Sequence, residues 1–365
     1  MMPKVLFITR KWSPAVGGME TYCVELVGEL KRHLEVDVIA LKGNADGSAP
    51  RGWALVGFAL QVFRTSLTLR KTHDIIHLGD AAIWPLGLVA KLGRKQAQVF
   101  VSAHGTDISY HRRATLRGRL YRAYLKLGSR LGKSWHLVAN SGATARAAGE
   151  VGWNPVSVIP LATSAVPKSA ESDRGRHLLF AGRIIPLKGL VWFVREVLPL
   201  LPSDIELHVA GPIWDEDEAR VLTDRRVSYL GVLGRKELDK AFCRAQAVVL
   251  PNISMPTGEF EGFGLVAVEA AAAGGLVLAA KRDGLIDAVR DEQTGFLLPA
   301  GDAEAWAAKI CEIHAWDTAR HRAFAKRARQ SALDYYNWQR VAHDTTAQYR
   351  KAIGGRANAW DAVND

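Results

Sequence analysis

Short apolar segments alternate with helical patterns along the chain, and this alternation restricts the fold more than any other feature of the sequence. The segments are continuous apolar runs, as expected for strands of a parallel sheet that helices cover on both faces. The first half is predicted to form one doubly wound α/β unit, with helices near 18–33, 53–70, 84–93 and 112–131. Its six predicted strands are KVLFIT (4–9), VDVIAL (36–41), DIIHL (74–78), AQVFVSA (97–103), WHLVA (135–139) and VSVIP (156–160).

The pattern restarts after LATSAVPKSAESDRGR (161–176), a small, polar, proline-containing segment that is typical of a linker. Two Rossmann-like α/β domains are therefore predicted, over 1–165 and 166–336. The predicted strands of the second are HLLFAG (177–182), IELHVAG (205–211), VSYLG (227–231), AVVLP (247–251), LVLAA (276–280) and TGFLLP (294–299), and helical patterns follow near 302–313, 318–335 and 337–352.

Length and composition fit a soluble protein of this size. The chain has 365 residues, of which 48% are hydrophobic and 23% are charged. No apolar run approaches the ~20 residues that a membrane-spanning helix needs, and the first one is interpreted as a strand rather than a signal peptide. The cysteines Cys23, Cys243 and Cys311 have neither metal-binding nor disulfide spacing. We therefore expect a cytoplasmic protein with reduced thiols.

The whole chain has a net charge of +11, and its positive charge is concentrated in the first half. Residues 1–168 contain 23 Lys or Arg and 10 Asp or Glu, whereas the remainder contains 25 and 27. Such an excess favours an anionic partner, which can be nucleic acid, phospholipid headgroups or a phosphorylated substrate.

Ligands of open α/β sheets bind beyond the carboxyl ends of the strands, so the loops there are the candidate sites. The loop after the first strand contains Gly17 and Gly18, which let the backbone approach an anion at a helix start, although a glycine pair can also be only a turn. The loop after the fourth strand contains His104, which can bond to a sugar hydroxyl or simply to the backbone. Asp107 is a candidate cap of the next helix.

Two cations follow the first strand of the second domain, in FAGRIIPLKG (180–189). A short turn is expected to hold Arg183 and Lys188 near each other, with a helix over 188–199 that begins at the lysine. Two cations at a helix N-terminus suit a diphosphate. In isolation, the same pair is equally consistent with solvated surface charges.

Two glutamates, Glu261 and Glu269, bracket a glycine turn in EFEGFGLVAVEAAAAGG (259–275). The predicted helix runs from about Gly264 to Ala273, so Glu261 lies in the loop before it and Glu269 within it. Eight residues are a little over two helical turns, so both carboxylates can share one side at different depths. An acid at the helix mouth can accept hydrogen bonds from sugar hydroxyls, and the second can bind a diol such as a ribose.

Taken together, GGME, HGTD, GRIIPLKG and EGFGLVAVE resemble, in order and spacing, the signature of retaining family-4 glycosyltransferases. Glu261 and Glu269 match the E-x7-E element of that family, and residues 283–310 resemble its C-terminal pattern. The resemblance covers essentially the whole chain. It implies a GT-B fold, in which two Rossmann-like domains face an interdomain cleft and the last helix, here 337–352, packs back on the first domain.

The resemblance also implies roles for single residues in binding a nucleotide-diphosphate sugar. Arg183 and Lys188 would bind the diphosphate and neutralise the leaving nucleotide, Glu261 would hold the transferred sugar, and Glu269 would hold the ribose. His104 would face the sugar from the first domain. Backbone groups of Phe263 and Gly264, with the adjoining Leu265, would also contact the donor. The base would lie near Val232 and Leu233. Gly17 and Gly18 would close over the phosphate.

Such a site implies a retaining hexosyltransferase with no cofactor and no required metal. Breaking the sugar–phosphate bond produces an oxocarbenium-like sugar and a dianionic leaving group, which cations and helix dipoles stabilise where water is excluded. No nucleophile is evident on the reacting face, which suggests front-side attack. The Asp-x-Asp of Asp215 and Asp217 opens a helix, so we interpret it as acids favoured by the helix dipole rather than as a metal site.

Three segments depart from the family pattern, and one of them, GGLVLAAKRDG (274–284), lacks the usual proline after the glycine. The loop PNISMPTGEFEGFG (251–264) is longer than the usual form and contains Asn252, which suggests an altered sugar pocket. The interdomain segment reads PLATS (160–164) in place of a form such as PNGVD, and we assign it no substrate role.

A basic amphipathic segment follows the HGTD loop, and no acid occurs from Ile108 to Gly149. Leu116, Leu120, Tyr124, Leu127 and Leu131 recur in it at helical spacing. A helix of this kind can lie on anionic lipid, and the alternative is a packed helix with a solvated cationic face. The cations assigned to a membrane or acceptor surface are Arg112, Arg113, Arg117, Arg119, Arg122, Lys126 and Arg130.

The expected function is transfer of a sugar to a hydroxyl of a lipid-linked, polysaccharide or lipopolysaccharide precursor, by an enzyme peripheral to the cytoplasmic membrane face. One alternative is a nucleotide-sugar epimerase or phosphorylase, but neither the flanking acid/base groups nor the cofactor lysine that these need is arranged in the sequence. Another is a basic nucleic-acid-binding protein, but no recognition motif is present. The donor base, the sugar and the acceptor stay open.

Overall fold

The computed structural model describes residues 3–15, 17–44, 48, 50, 52–68, 73–92, 94–164 and 175–354. The chain forms two compact units. Unit 1 comprises the chain up to Leu161 together with the segment from Trp338 onward, and unit 2 runs from Ala162 to Asn337. The central part of the predicted linker, residues 165–174, lies outside the described residues, as do the last two residues of the helix predicted over 53–70.

Unit 1 contains a parallel six-stranded sheet in the order β2-β1-β3-β4-β5-β6. Its strands are β1 (Lys4–Trp12), β2 (Glu35–Lys42), β3 (Ile75–Leu78), β4 (Gln98–Ala103), β5 (His136–Ala139) and β6 (Val156–Val158). Its helices up to β6 are α1 (Gly18–Leu30), α2 (Gly52–Thr68), α3 (Trp84–Lys91), α4 (Thr106–Ser109), α5 (Leu116–Leu131) and α6 (Gly142–Gly149). Residues 5–8 of β1 are fully buried, because helices cover both faces of the sheet.

The strand order determines which helices share a face of this sheet. The chain passes outward from β1 to β2 and then returns across the sheet through β3, β4, β5 and β6. Because parallel crossovers are right-handed, α1 covers one face, and α2, α3, α5 and α6 cover the other.

Unit 2 repeats this architecture, with a parallel sheet in the order β12-β11-β10-β7-β8-β9. The strands are β7 (Leu178–Ala181), β8 (Leu207–Ala210), β9 (Val227–Gly231), β10 (Ala247–Leu250), β11 (Val277–Ala280) and β12 (Phe296–Leu298). The helices are α7 (Leu190–Trp192), α8 (Glu216–Ala219), α9 (Arg235–Arg244), α10 (Leu265–Ala273), α11 (Leu285–Ala288), α12 (Ala303–His314) and α13 (Thr318–Tyr335). Most of α10 is buried because small apolar residues surround its axis.

The last helix, α14 (Trp338–Ala352), belongs to unit 1 and packs on α1. Its Tyr349 is fully buried, and the Tyr349 hydroxyl is hydrogen-bonded to Nδ1 of His77 in β3. The other ring nitrogen of His77 lies 2.7 Å from Oγ of Ser102. Burial, with a smaller contribution from His104, lowers the pKa of His77 to about 3, so this interior ring is neutral.

All twelve predicted strands are confirmed as elements, and the two six-stranded α/β sheets confirm the predicted fold class. The helix predicted over 112–131 begins at Leu116, because Thr115 caps it by accepting a hydrogen bond from the N–H of Gly118 at 3.1 Å. Arg112 and Arg113 therefore precede α5. Three of the described helices were missed: α6 and α11 are short, and α9 is highly charged and buries only Phe242.

The prediction of one regular helix over 188–199 was wrong. Lys188 ends a 3-10 turn (Pro186–Lys188), and Gly189 separates it from α7, which continues as a π-helical turn (Phe193–Val197) and a 3-10 turn (Leu198–Leu200). Gly189 has a φ of 70°, and a Cβ there would lie 2.1 Å from the carbonyl oxygen of Pro251. The helix is interrupted because the backbone comes this close to the loop after β10.

Candidate functional site

A cavity of about 310 Å³ opens in unit 2 at the carboxyl ends of the strands, and we call it the unit 2 cavity. It lies where β7 and β8 end and where α10 begins, which is the usual ligand position of a parallel α/β sheet. The strand ends come close together there: Gly211 has a φ of 145°, and a Cβ on it would lie 1.9 Å from the carbonyl oxygen of Gly182. The residues lining it are Ala181, Gly182, Arg183, Lys188, Ala210, Gly211, Pro212, Val232, Leu233, Leu238 and Val266.

Two cations line this cavity on its β7 side. Arg183 lies two residues after the end of β7, and its guanidinium lies 4.6 Å from the ring centroid of Trp214, a contact typical of a cation–π pair. The side chain of Lys188 is only 12% exposed. A largely buried ammonium and a stacked guanidinium at strand ends can bind the oxygens of a diphosphate.

The partner of Lys188 is Glu261, with which it forms a close ion pair. Nδ2 of Asn252 donates to the same carboxylate oxygen of Glu261 at 3.1 Å. Burial by itself raises the pKa of Glu261, but Lys188, Asn252 and Arg183 together outweigh it and hold the pKa below its ordinary value. The carboxylate is therefore ionised, and it is held in place by Lys188, which lines the cavity, and by Asn252.

The glycine turn after Glu261 positions the start of α10. Gly264 has a φ of 93°, which favours glycine, and Phe263 before it is buried. Among the described residues no side chain caps the helix, and of the N–H groups in its first turn that of Ala267 donates to the carbonyl oxygen of Gly264 at 2.9 Å. The N–H groups before Ala267 can serve other acceptors. Because Val266 lines the cavity, this turn, which begins at Leu265, faces it.

Glu269 lies three residues beyond Val266, on the same side of α10. Its carboxylate is 2.6 Å from Nη1 of Arg235 at the start of α9, and Arg235 also pairs with Asp239 at 3.1 Å. The partner Arg235 was not predicted, because no pattern in the sequence connects α9 with α10.

The predicted site residues of unit 1 lie at the carboxyl ends of β1 and β4. Gly17 precedes α1, and Gly18 is its first residue. His104 is 9% exposed, and its Nε2 donates to the carbonyl oxygen of Gly79 at 2.9 Å, while its Nδ1 is buried without a hydrogen-bond partner in the described part of the chain. Asp107 does not cap α4. It accepts instead from the backbone N–H groups of His104, at 2.8 Å, and Ala81, at 3.0 Å.

The predicted basic helix exposes its leucines as well as its cations. Leu116, Leu120, Leu127 and Leu131 are between 49% and 71% exposed. Tyr124 differs, because it is half-buried and donates to the carbonyl oxygen of Ala82 at 2.7 Å. The buried side of α5 is formed by small residues such as Gly128 and by Leu125.

Two of the seven predicted surface cations have roles outside α5. Arg112 pairs with Glu150 at 2.6 Å, and Arg113 stacks on Tyr110 with its guanidinium 4.8 Å from the ring centroid. The other five lie on exposed positions of α5, namely Arg117, Arg119, Arg122, Lys126 and Arg130.

The Asp-x-Asp segment has a structural role in unit 2. Asp215 is the N-cap of α8 and accepts from the backbone N–H groups of Asp217, at 3.0 Å, and Glu218, at 3.1 Å. This is the standard use of an aspartate at a helix start.

The two α/β units, with a cavity at the strand ends of unit 2, define a protein of the GT-B class. Residues 16–164 match the family model for Glycosyltransferase Family 4, and residues 175–315 match the model for Glycosyl transferases group 1. The chain therefore belongs to the family-4 glycosyltransferases, as its motifs predicted.

Curated relatives agree with this membership, and solved structures share the fold. The D-inositol 3-phosphate glycosyltransferase of Mycobacterium ulcerans is 34% identical over 48% of this chain and 38% of its own length, so the match spans well under half of that relative. A GDP-mannose-dependent alpha-(1-6)-phosphatidylinositol monomannoside mannosyltransferase of Mycolicibacterium smegmatis is 24% identical over 98% of this chain and 100% of its own. Anabaena HepE, solved with UDP-glucose, has a TM-score of 0.70 and 18% identity over 95% of this chain and 99% of its own.

None of the described helices is both long enough and apolar enough to cross a bilayer.

Proposed function

We propose that the protein is a retaining glycosyltransferase that moves a sugar from a nucleotide-diphosphate sugar to a hydroxyl of a lipid-linked or saccharide acceptor. The observation that carries this proposal is that Arg183 and Lys188 line the unit 2 cavity and that Lys188 is paired with Glu261. Two cations and one fixed carboxylate match the needs of a donor that carries a diphosphate beside a polyhydroxylated ring.

The proposed chemistry follows from these charges. As the bond between the sugar and the phosphate breaks, negative charge grows on the diphosphate, and Arg183 and Lys188 stabilise it. The first turn of α10 adds backbone N–H groups and the positive end of its dipole. Glu261 accepts from a ring hydroxyl and orients the sugar. The acceptor oxygen bonds to the anomeric carbon on the face from which the diphosphate leaves, and the acceptor proton passes to the leaving diphosphate rather than to Glu261. Glu269 accepts from the ribose hydroxyls.

The relatives support a nucleotide-sugar donor without selecting the base. Anabaena HepE was solved with UDP and with UDP-glucose, whereas the full-length Mycolicibacterium smegmatis relative is named as GDP-mannose-dependent. That relative is also named for a phosphatidylinositol acceptor, which favours a lipid-linked acceptor here. We propose no metal and no cofactor for the transfer.

We further propose that the exposed face of α5 contacts an anionic membrane and holds the enzyme near its acceptor. Five cations and four exposed leucines share this helix, a combination that suits lipid headgroups above an acyl layer. Cosedimentation with anionic vesicles at low and high salt tests this part. No binding at low salt would contradict it.

A thermal-shift panel of nucleotide sugars, followed by a transfer assay with the donor that stabilises the protein most, tests the enzymatic part. We expect Glu261→Ala to lower transfer at least a hundredfold, with retention at the anomeric carbon read by NMR in the wild type. Glu304→Ala, an exposed acid in the first turn of α12, is the matched control and should transfer at the wild-type rate. If no nucleotide sugar stabilises the wild type, or if Glu261→Ala transfers normally, the proposal fails.

A further inference from the structure

Helix α2 of unit 1 presents a stripe of large apolar side chains to solvent. The stripe residues recur at intervals of three and four, so they form one line along the helix. The opposite side of α2, with Phe58 and Val62, is buried in unit 1. The exposed fractions in the stripe are 87% for Trp53, 53% for Val56, 58% for Leu60, 43% for Phe63 and 55% for Leu67.

An exposed surface of this kind is unusual for a soluble unit. A helix that is apolar on both sides is normally covered on both sides, and contiguous apolar patches beyond a few hundred Å² generally mark an interaction surface. Between Gly52 and Leu67 the sequence contains a single charged residue, Arg64. Nothing in the described part of unit 1 covers the stripe.

The neighbours of α2 identify what covers it. Helices α2, α3 and α5 lie on the same face of the sheet, and α2 packs on α3. On its other side α3 meets α5, since the ring of Trp84 lies 5.2 Å from that of Tyr124 and directly faces Gly128. Leu92, just after α3, is 63% exposed. The apolar stripe therefore belongs to the same side of the unit as the exposed leucines and cations of α5.

We propose that α2 inserts into a lipid bilayer, with its stripe at the boundary between headgroups and acyl chains while the cations of α5 contact anionic headgroups. A second copy of the chain fits this surface less well, because it would bring the same cations against each other. A bilayer offers apolar and anionic groups together. The proposal extends the membrane contact proposed for α5, and it is independent of the nucleotide-sugar site in unit 2.

The test uses the full chain with vesicles of phosphatidylcholine, with and without phosphatidylglycerol. We expect the double variant Leu60→Gln/Leu67→Gln to bind anionic vesicles at least tenfold more weakly than the wild type. Salt screens charge but not apolar insertion. The wild type should therefore keep part of its binding at high salt, whereas the variant should lose all of it. Leu200→Gln, in unit 2 and 52% exposed, is the matched control and should bind like the wild type.

A second measurement compares the tryptophan fluorescence of the wild type with that of a single conservative variant. Lipids brominated in the acyl chain should quench the fluorescence of the wild type more than that of Trp53→Phe, because the proposal puts this indole in the bilayer. Unchanged vesicle binding in the double variant, or equal quenching of the two proteins, would overturn the proposal. So would a wild type that forms dimers through this stripe and binds no vesicles. Nucleotide-sugar stabilisation, measured without lipid, should be the same in all these variants, which separates this proposal from the proposed transfer.

Discussion

Replacing Lys188 with methionine should reverse the way in which the stability of unit 2 depends on pH. The methionine keeps most of the apolar stem and removes only the charge that pairs with Glu261. Glu261 then stays in place with Asn252 as its remaining hydrogen-bond donor and Arg183 as a more distant cation. Breaking one side of a buried ion pair typically costs about 3–5 kcal/mol, because it leaves the other charge buried without compensation.

The sign of the pH effect follows from the pKa of Glu261. In the wild type this pKa lies below the ordinary value of 4.5, so the carboxylate stabilises the fold above pH 4.5, and that contribution is lost as the pH falls through the folded pKa. Without Lys188, burial is the main influence, and we expect the pKa of Glu261 to rise above 4.5. The variant should therefore be about 3 kcal/mol less stable at neutral pH. It should recover by up to about 1.4 kcal/mol per pH unit as the pH falls towards 4.5.

A chain with two units does not unfold in one step, so stability should be read locally. Native-state hydrogen exchange of the amides in β10 and α10 reports on the surroundings of Glu261. The control is Lys188→Met/Glu261→Gln, in which no charge is left unpaired. It should be about 2–3 kcal/mol more stable than Lys188→Met at neutral pH, and the difference should shrink as the pH falls. If the single and double variants have the same stability at every pH, Glu261 is not a buried carboxylate that depends on Lys188.

Four further substitutions have defined expectations. Asn252→Ala removes the 3.1 Å hydrogen bond to Glu261, and hydrogen bonds to charged groups are worth about 1.5–3 kcal/mol. Transfer should therefore fall roughly tenfold to a hundredfold in a donor-saturated assay. An unchanged rate would show that Lys188 alone holds Glu261. Gly264→Ala forces a side chain onto a φ of 93° and should destabilise unit 2 by roughly 1–2 kcal/mol. Gly28→Ala lies inside α1, where a Cβ has open space, and should stabilise unit 1 by about 1 kcal/mol. Hydrogen exchange measures both effects. Because burial lowers the pKa of His77 to about 3, the unfolded chain binds a proton at a higher pH than the folded chain does. Unit 1 should therefore lose stability as the pH falls from 6.5 towards 3, at up to about 1.4 kcal/mol per pH unit. His77→Gln should flatten this slope, and an unchanged slope would contradict the assignment.

The fold could be predicted from the sequence because each buried strand is a continuous apolar run, which is a local signal. Helices with an apolar stripe, such as α12 and α13, were predicted for the same reason. α9 was missed because it buries a single phenylalanine and is tied to α10 by an ion pair, and neither leaves a pattern in the local sequence. The interruption at Gly189 could not be predicted either, since its cause is a carbonyl oxygen more than 60 residues away in the sequence.

The exposure of the apolar stripe on α2 could not be predicted from the sequence either. Apolar periodicity in α2 predicted a helix, but periodicity does not show which apolar residues the rest of the unit covers. For α5 the sequence left open whether the leucines or only the arginines reach the surface, and the structure exposes both. Burial depends on which neighbours a helix has, and strand order decides that.

For the two glutamates of the candidate site, the sequence shows the spacing but not the partners of the side chains. Their separation of eight residues is visible in the sequence, but each carboxylate is held by a cation from a different segment, Lys188 for Glu261 and Arg235 for Glu269. An acceptor that is already fixed loses little conformational freedom when a ligand binds, which favours affinity. Lys188 and Arg235 also compete with any ligand for these carboxylates, so a donor must offer charge to Lys188 when its hydroxyl takes a share of Glu261. A diphosphate next to a sugar meets both demands at once, whereas a neutral sugar leaves Lys188 without an anion to replace the carboxylate it gives up.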